Sequence, residues 1–207
     1  MEKMTINEFK KKSNIEILQE LLKTNNGYIT SSLVTELGIH RMYIKIMADK
    51  NMIKKVESGV YIDSNIKEDK YYTLNLAFPN IIFSHLTSLY LQGYLQENKL
   101  NNYDITIMKN VYNEKLKKYN TFGVNKDEFS VGLIDYKTDN GNIIKIYDVE
   151  RSICDVIKDR KRLDLDLIKY AVRKYLKSDK CDLNKVYNYA EKLDIKGLVK
   201  DFIDIVS

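Results

Sequence analysis

"GYITSSLVTELGIHRMYIKIMADKNMIKKVESGVYI", residues 27–62, decides how the first third of the chain is read. "YI" (Tyr28, Ile29) is a short extended piece. Thr30 or Ser31 can then cap a short helix carrying Leu33, Val34 and Leu37, because a side-chain oxygen at that position accepts an otherwise unpaired first-turn amide. Gly38 supplies a tight turn, and a further helix is expected over residues 39–50. "MIKKVE" and "VYI" are β-prone runs on either side of Ser58-Gly59, the signature of a hairpin. Upstream, Ser13 or Asn14 can cap a helix whose Ile15, Leu18, Leu21 and Leu22 form one apolar stripe, ended by "NNG" at 25–27. Helix, helix, turn, helix, hairpin is the order of a winged helix-turn-helix, in which the third helix lies in the major groove and the hairpin is the wing.

In that arrangement base edges are read by side chains on the exposed face of the third helix. Apolar residues at Ile39, Met42, Tyr43, Ile44, Ile46 and Met47 are more than one stripe can bury. Burying Ile44, Met47 and Ala48 leaves Arg41, Met42, Lys45 and Asp49 outward; burying Ile39, Tyr43, Ile46 and Met47 leaves His40, Arg41, Lys45 and Asp49 outward. Arg41 and Lys45 face out in both. Arg41 suits a bidentate contact to guanine, worth about 1–3 kcal/mol of base discrimination, and Lys45 suits a base or a phosphate. Thr30 and Ser31 can offer hydroxyls and amides to phosphate, and Lys54, Lys55 and Ser58 can do the same from the wing. With His40 and Tyr43 on the same helix, these are the candidate DNA contacts. Plainer readings exist: Lys54 and Lys55 as a solvated strand edge, His40 as a helix-start residue with no fixed role. The run Lys10 to Lys12 would extend the basic surface or be merely solvated.

The polar stretch "SNIKEDK" (64–70) reads as a boundary, giving domains 1–66 and 67–207. Beyond it "YYTLNLAF" is helical up to Pro79, "NIIFS" is a short buried strand, and "SHLTSLYLQGYL" is a helix with Ser84 as its cap. "YDITIM" alternates as a strand, "FSVGLIDYKTDNGNIIKIY" is two strands joined at "TDNG", and helices are expected over 148–159, 164–177, 182–193 and 195–206. The expected class is α+β: a winged helix-turn-helix, then a small sheet with a C-terminal helical run.

Composition excludes several classes. In 207 residues, 44% hydrophobic, no run reaches the roughly 18 to 20 apolar residues of a membrane span, and the start lacks the apolar segment of a secretory signal, so the cytoplasm is expected and no membrane. Cys154 and Cys181 have no CxxC spacing and the only histidines are His40 and His85, so neither metal nor other cofactor is expected. The net charge of +5 leans towards an anionic partner.

"IYDVERSICDVIKDR" (146–160) concentrates residue types used in acid/base, phosphate-binding and nucleophilic chemistry. Each has a structural job. Asp148 is an N-cap, Glu150 favours the positive end of the helix dipole, Val149, Ile153, Val156 and Ile157 form the buried stripe, and Arg151 and Asp155, four apart, can pair on the flank. Cys154 has no local histidine to activate it, and the acids are too few for metal-assisted phosphoryl transfer, so a structural helix is the reading favoured over catalysis.

Taken in order, residues 27–62, "FPNIIFSHLTSLYLQGY" (78–94) and "IYDVERSICDVI" (146–157) resemble the AbiEi antitoxins, the regulator half of the AbiE abortive-infection, type IV toxin–antitoxin systems. The resemblance spans nearly the whole chain. It is carried by Gly59-Val60-Tyr61, by Ser84-His85, and by Glu150-Arg151-Ser152-Ile153-Cys154-Asp155, with Ser152 where Thr is commoner and Asn51 where Gly is usual. It implies a transcriptional autorepressor that binds inverted repeats in its own promoter, and a second domain that neutralises a nucleotidyltransferase-like toxin, AbiEii, without a stable complex and without catalysis of its own. Ser84, His85, Glu150, Arg151 and Asp155 would be the antitoxin motif. Two alternatives stay open: a second domain that enzymatically reverses or competes with the toxin's nucleotidyl transfer, and a module that sequesters the toxin.

Overall fold

Ser13 opens the first helix with a reciprocal pair of bonds: its hydroxyl accepts the Glu16 amide, and the Glu16 carboxylate accepts the Ser13 amide at 2.7 Å. The helix α1 (Asn14–Thr24) ends where Asn26 and Gly27, at φ 51° and 82°, turn the chain into strand β1 (Tyr28–Thr30). The computed structural model describes residues 12–96, 102–111 and 113–206; of the basic run at the start, Lys10 and Lys11 lie outside the described residues.

The Thr30 hydroxyl accepts the Leu33 amide and so caps α2 (Ser31–Glu36). Gly38 is left-handed at φ 70°, and α3 (Met42–Asp49) starts later than the 39–50 expected. The reason is local. His40 Nδ1 accepts the Met42 amide at 3.1 Å, and the Tyr43 and Ile44 amides turn back to the His40 and Arg41 carbonyls, so a tight turn precedes the helix. Asn51 leaves α3 at φ 56°, a conformation Asn tolerates better than most residues. Strands β2 (Ile53–Glu57) and β3 (Val60–Asp63) form an antiparallel hairpin, and β1 adds to the other edge of β3, giving the order β1-β3-β2. Ile17, Leu18, Leu22, Ile29, Val34, Ile39, Ile44, Met47 and Ile53 make the core beneath.

The chain divides into two compact units. One runs to Pro79 and takes in Lys137–Ile144; the other comprises Asn80–Tyr136 and the chain from Lys145 on. The polar stretch 64–70 therefore lies inside the first unit, and the divide falls after Pro79 instead of at residue 66. Helix α4 (Lys70–Ala77) contributes Tyr72, Leu76 and Ala77 to an apolar cluster with Tyr28, Val60 and Ile62, which is why it belongs there. Asp69 caps α4 through Oδ1, which accepts the Tyr72 amide at 3.1 Å. Its Oδ2 accepts the Thr138 hydroxyl at 2.5 Å and the Asn142 side-chain amide at 2.9 Å, while its own amide donates to the Tyr28 hydroxyl at 2.8 Å. Asn142 accepts in turn from the Asn26 side chain at 2.8 Å. Asp69, Thr138 and Asn142 are all buried, so this polar network has little water to fall back on.

The second sheet has the order β6-β5-β4-β8-β7, with β4 (Ile82–Phe83) antiparallel to β5 (Asp104–Met108) and parallel to β8 (Ile143–Tyr147), and β5 parallel to β6 (Asn120–Val124). β7 (Leu133–Lys137) lies outside β8. Strand β6, the 3₁₀ turn Glu114–Lys118 and the short helix α6 (Lys126–Phe129) were not foreseen, since "NTFGV" neither alternates nor avoids glycine; it is held by five consecutive parallel pairings to β5. Helices α5 (His85–Leu91), α7 (Val149–Lys158), α8 (Leu165–Leu176), α9 (Leu183–Lys192) and α10 (Lys196–Val206) build one core, to which α7 gives Ile153, Cys154, Val156 and Ile157. The fold is α+β. Among the described residues no helix is long and apolar enough to cross a membrane.

Candidate functional site

On α3, Ile44 and Met47 are buried, with Ile39 beside them, and Tyr43, Ile46 and Ala48 are partly buried; Met42, Lys45 and Asp49 face solvent, with Arg41 just ahead. Arg41, Met42, Lys45 and Asp49 are exposed and so is His40, so the burial mixes the two faces expected: Ile44 from one, Ile39 from the other and Met47 from both. Arg41 Nε donates to Thr35 Oγ1 at 2.9 Å, which uses one of the five guanidinium donors and steadies the side chain against α2. Tyr43 is partly buried, packed against the core.

The surrounding candidates divide. The Thr30 hydroxyl serves as the α2 cap and lies 2.9 Å from Ser32 Oγ, and the Ser31 amide donates to the Gly59 carbonyl at 2.8 Å, so these two groups are already engaged. That second bond ties the hairpin turn to the start of α2. Lys54 Nζ donates to the Ser64 and Ile66 carbonyls at 3.3 and 3.2 Å, drawing its charge away from the hairpin turn, whereas Lys55 is exposed and side chains of adjacent strand residues leave by opposite faces. The Ser58 amide donates to Glu57 Oε1, which brings an acid to the turn. His40, with Nδ1 accepting the Met42 amide, has a fixed role at the helix start.

In the second unit Ser84 and His85 sit at the start of α5, but the Ser84 hydroxyl makes no cap bond there. Its Oγ lies 2.8 Å from His85 Nδ1 and accepts the Thr106 hydroxyl at 2.8 Å; His85 Nε2 is 3.2 Å from Asp159 Oδ2, and the imidazole stacks on Phe122 with centroids 3.6 Å apart. His85 is held at φ 49°, a strained setting for a non-glycine residue. Asp104 completes the cluster: Oδ2 accepts the Leu86 amide at 3.0 Å and Oδ1 the Asn120 side chain at 2.8 Å. Burial raises the Asp104 carboxyl despite these bonds, while for Asp159 burial is outweighed by the His85 hydrogen bond and by His85, Arg162 and Lys158 charge, and its carboxyl is held down. A serine, a histidine and two acids thus converge, yet Ser84 is fully buried and its oxygen already serves two partners. The arrangement is a hydrogen-bonded junction of α5, β5 and the end of α7 that reaches solvent at Asp159, while Ser84 and His85 stay buried.

Helix α7 is furnished as expected but buried more deeply. Asp148 Oδ1 caps it by accepting the Arg151 amide at 2.9 Å. Arg151 was expected on the flank and is instead 0% exposed. Its Nε donates to Asp155 Oδ1 at 2.9 Å, its Nη1 donates to the Glu128 and Val131 carbonyls at 2.7 and 2.9 Å, and its guanidinium lies 4.3 Å over the Tyr147 ring. Gly132, at φ 75°, lets the loop that ends at it approach: a Cβ there would meet Arg151 Cβ at 2.5 Å. Among the described residues Arg151 Nη2 and Asp155 Oδ2 have no partner. Glu150 accepts the Tyr175 hydroxyl at 3.0 Å and Lys185 Nζ at 2.9 Å, and Asp148 Oδ2 accepts Lys185 and the Tyr189 hydroxyl, each at 3.0 Å. Burial pushes the Tyr189 hydroxyl up to about 12, with the Asp148 charge adding to it. Burial also pushes the Cys154 thiol up, which makes it a core filler and not a nucleophile.

By their side-chain bonds Ser84 and His85 belong to one cluster, Arg151 and Asp155 to another and Glu150 to a third; the first meets the second through the backbone, where the Asp159 amide donates to the Asp155 carbonyl at 2.9 Å. Asp104, Asp159, Tyr147 and Lys185 were missed. Asp104 and Thr106 alternate with Ile105 as polar residues on a half-exposed strand would, and all three are buried. No group of three or more His, Cys, Asp or Glu side chains among the described residues could hold a metal ion.

No family model matches the chain, and no curated protein does. Among solved structures the chain is similar to the crystal structure of RV2827C protein from Mycobacterium tuberculosis, with a TM-score of 0.52 at 10% sequence identity, over 91% of this chain and 79% of that one. At such identity the likeness is one of fold.

Proposed function

We propose that the first unit is a winged helix-turn-helix that binds double-stranded DNA, and that the protein is an antitoxin and transcriptional autorepressor of the AbiEi kind. The observation that carries the DNA-binding reading is α2, a left-handed turn at Gly38 and α3 followed directly by the β2–β3 hairpin, with Arg41 and Lys45 on the solvent face of α3 and Lys55 on the hairpin. The mixed face suits an entry by the first turns of α3: Arg41 and Lys45 lie there, whereas Asp49 at the far end would repel phosphate. The target is the protein's own promoter, read as inverted repeats.

The antitoxin role rests on the resemblance to the AbiEi family, and the partner is an AbiEii-like nucleotidyltransferase toxin, neutralised without a stable complex. The second unit acts without catalysis. In support of this, Ser84, Arg151, Cys154 and Asp155 are buried and engaged with neighbouring groups, which suits a scaffold and not a reaction centre.

A gel shift with the DNA upstream of the gene tests the first half. Specific binding that weakens steeply with salt and falls on the order of tenfold or more in Arg41→Ala is expected. Unchanged affinity in both Arg41→Ala and Lys45→Ala would overturn the assignment of α3. Co-expression with an AbiEii-like nucleotidyltransferase toxin tests the second half: growth should be rescued without co-purification.

A further inference from the structure

Resting on the DNA-binding reading above, we infer that Met42 covers the 5-methyl group of a thymine, so that α3 reads guanine and thymine in neighbouring base pairs. Met42 is 52% exposed at the first position of α3, and Leu37 is 42% exposed at the end of α2. They are two of only three exposed large apolar side chains among the described residues of the first unit, the third being Ile143. Single exposed apolar residues need no explanation; here the exposure falls between Arg41 and Lys45, on the one face of α3 that carries positive charge. Met42, Lys45, Ile46 and Asp49 follow at spacings of three, one and three, so the methionine shares its stripe with the lysine.

The chemistry of the major groove supplies the ligand. Thymine alone displays a methyl group there, and guanine alone presents the paired O6 and N7 acceptors that fit a guanidinium fork. An unbranched thioether adapts its shape to an apolar surface better than a branched chain does. Arg41 and Met42, adjacent in sequence, therefore offer complementary contacts to both features.

The test uses the full-length protein and the DNA upstream of the gene, amplified once with dTTP and once with dUTP, since uracil differs from thymine by the methyl group alone. Wild-type protein should bind the thymine fragment about fourfold tighter for each methyl covered. Met42→Gln keeps the length of an exposed side chain and should bind both fragments alike. Arg41→Ala should weaken binding to both fragments and keep their ratio. Equal wild-type affinity for the two fragments, or a ratio that survives in Met42→Gln, overturns the inference while leaving DNA binding intact. If the thymine fragment is bound no better than unrelated DNA, the DNA-binding reading fails and the inference fails with it.

Discussion

Asp69→Ala should loosen the first unit as a whole. The substitution removes the cap bond to the Tyr72 amide, worth about 1 kcal/mol, and strands two buried donors, the Thr138 hydroxyl and the Asn142 amide, each costing about 1–3 kcal/mol when unpaired. Some water will enter the space left by the carboxylate and recover part of this, so the expected loss is about 3–5 kcal/mol. With two units in the chain a single unfolding free energy is poorly defined, so the fitting assay is amide hydrogen exchange read peptide by peptide. Exchange within residues 12–79 and 137–144 should quicken together by roughly two to three and a half orders of magnitude, while peptides of the second unit hold their protection. Acceleration of less than about fivefold, roughly 1 kcal/mol, would refute the accounting. Acceleration in 12–79 without 137–144 would refute the view that the returning segment is integral to the first unit.

Three further outcomes are expected. Gly132→Ala, at φ 75° with its Cβ 2.5 Å from Arg151 Cβ, should cost the second unit more than about 2 kcal/mol, read as faster amide hydrogen exchange in its peptides; a neutral result would mean the 128–132 loop can retreat. Asp155→Ala leaves the fully buried Arg151 guanidinium without its carboxylate and should destabilise by about 3–5 kcal/mol, with protein recovered mainly as aggregate at 37 °C. Asp159→Asn tests pH linkage. The folded-state carboxyl is held below its ordinary 3.8, so its stabilisation is present above that value and is lost as pH falls through the depressed folded value. The variant should be the less stable protein at neutral pH, and the gap should close only below about pH 4; a gap that widened in acid would reverse the sign of the argument.

Much of this was legible because the local signals were strong. Asp148 before an apolar stripe at spacings of four, three and one forecast both the cap and the buried face of α7, and Ser58-Gly59 between β-prone runs forecast the hairpin within a residue. What escaped depended on distant partners. Nothing near Arg151 announces that the Glu128 and Val131 carbonyls will close over it, so an i, i+4 pair that read as a flank became the most deeply buried charge in the unit. Strand β6 carries no alternation of its own and exists because β5 pairs with it. Lys54 and the Ser31 amide read as free donors because sequence cannot show that backbone carbonyls of residues 59, 64 and 66 would claim them. The outward face of α3 was narrowed to two choices, and the core that also holds Leu18 and Ile53 takes Ile44 from one, Ile39 from the other and Met47 from both.

The return of Lys137–Ile144 to the first unit sets a schedule for the newborn chain. A ribosome that has just finished Pro79 must add about 65 more residues before Thr138 and Asn142 can reach Asp69, roughly 3 to 13 s at bacterial rates of elongation. During that interval the Asp69 carboxylate is hydrated and the nascent α3 face is carried by an unfinished scaffold. If that face grips DNA, binding is expected only once translation has passed residue 144, and premature stops upstream of that point should yield fragments that bind poorly.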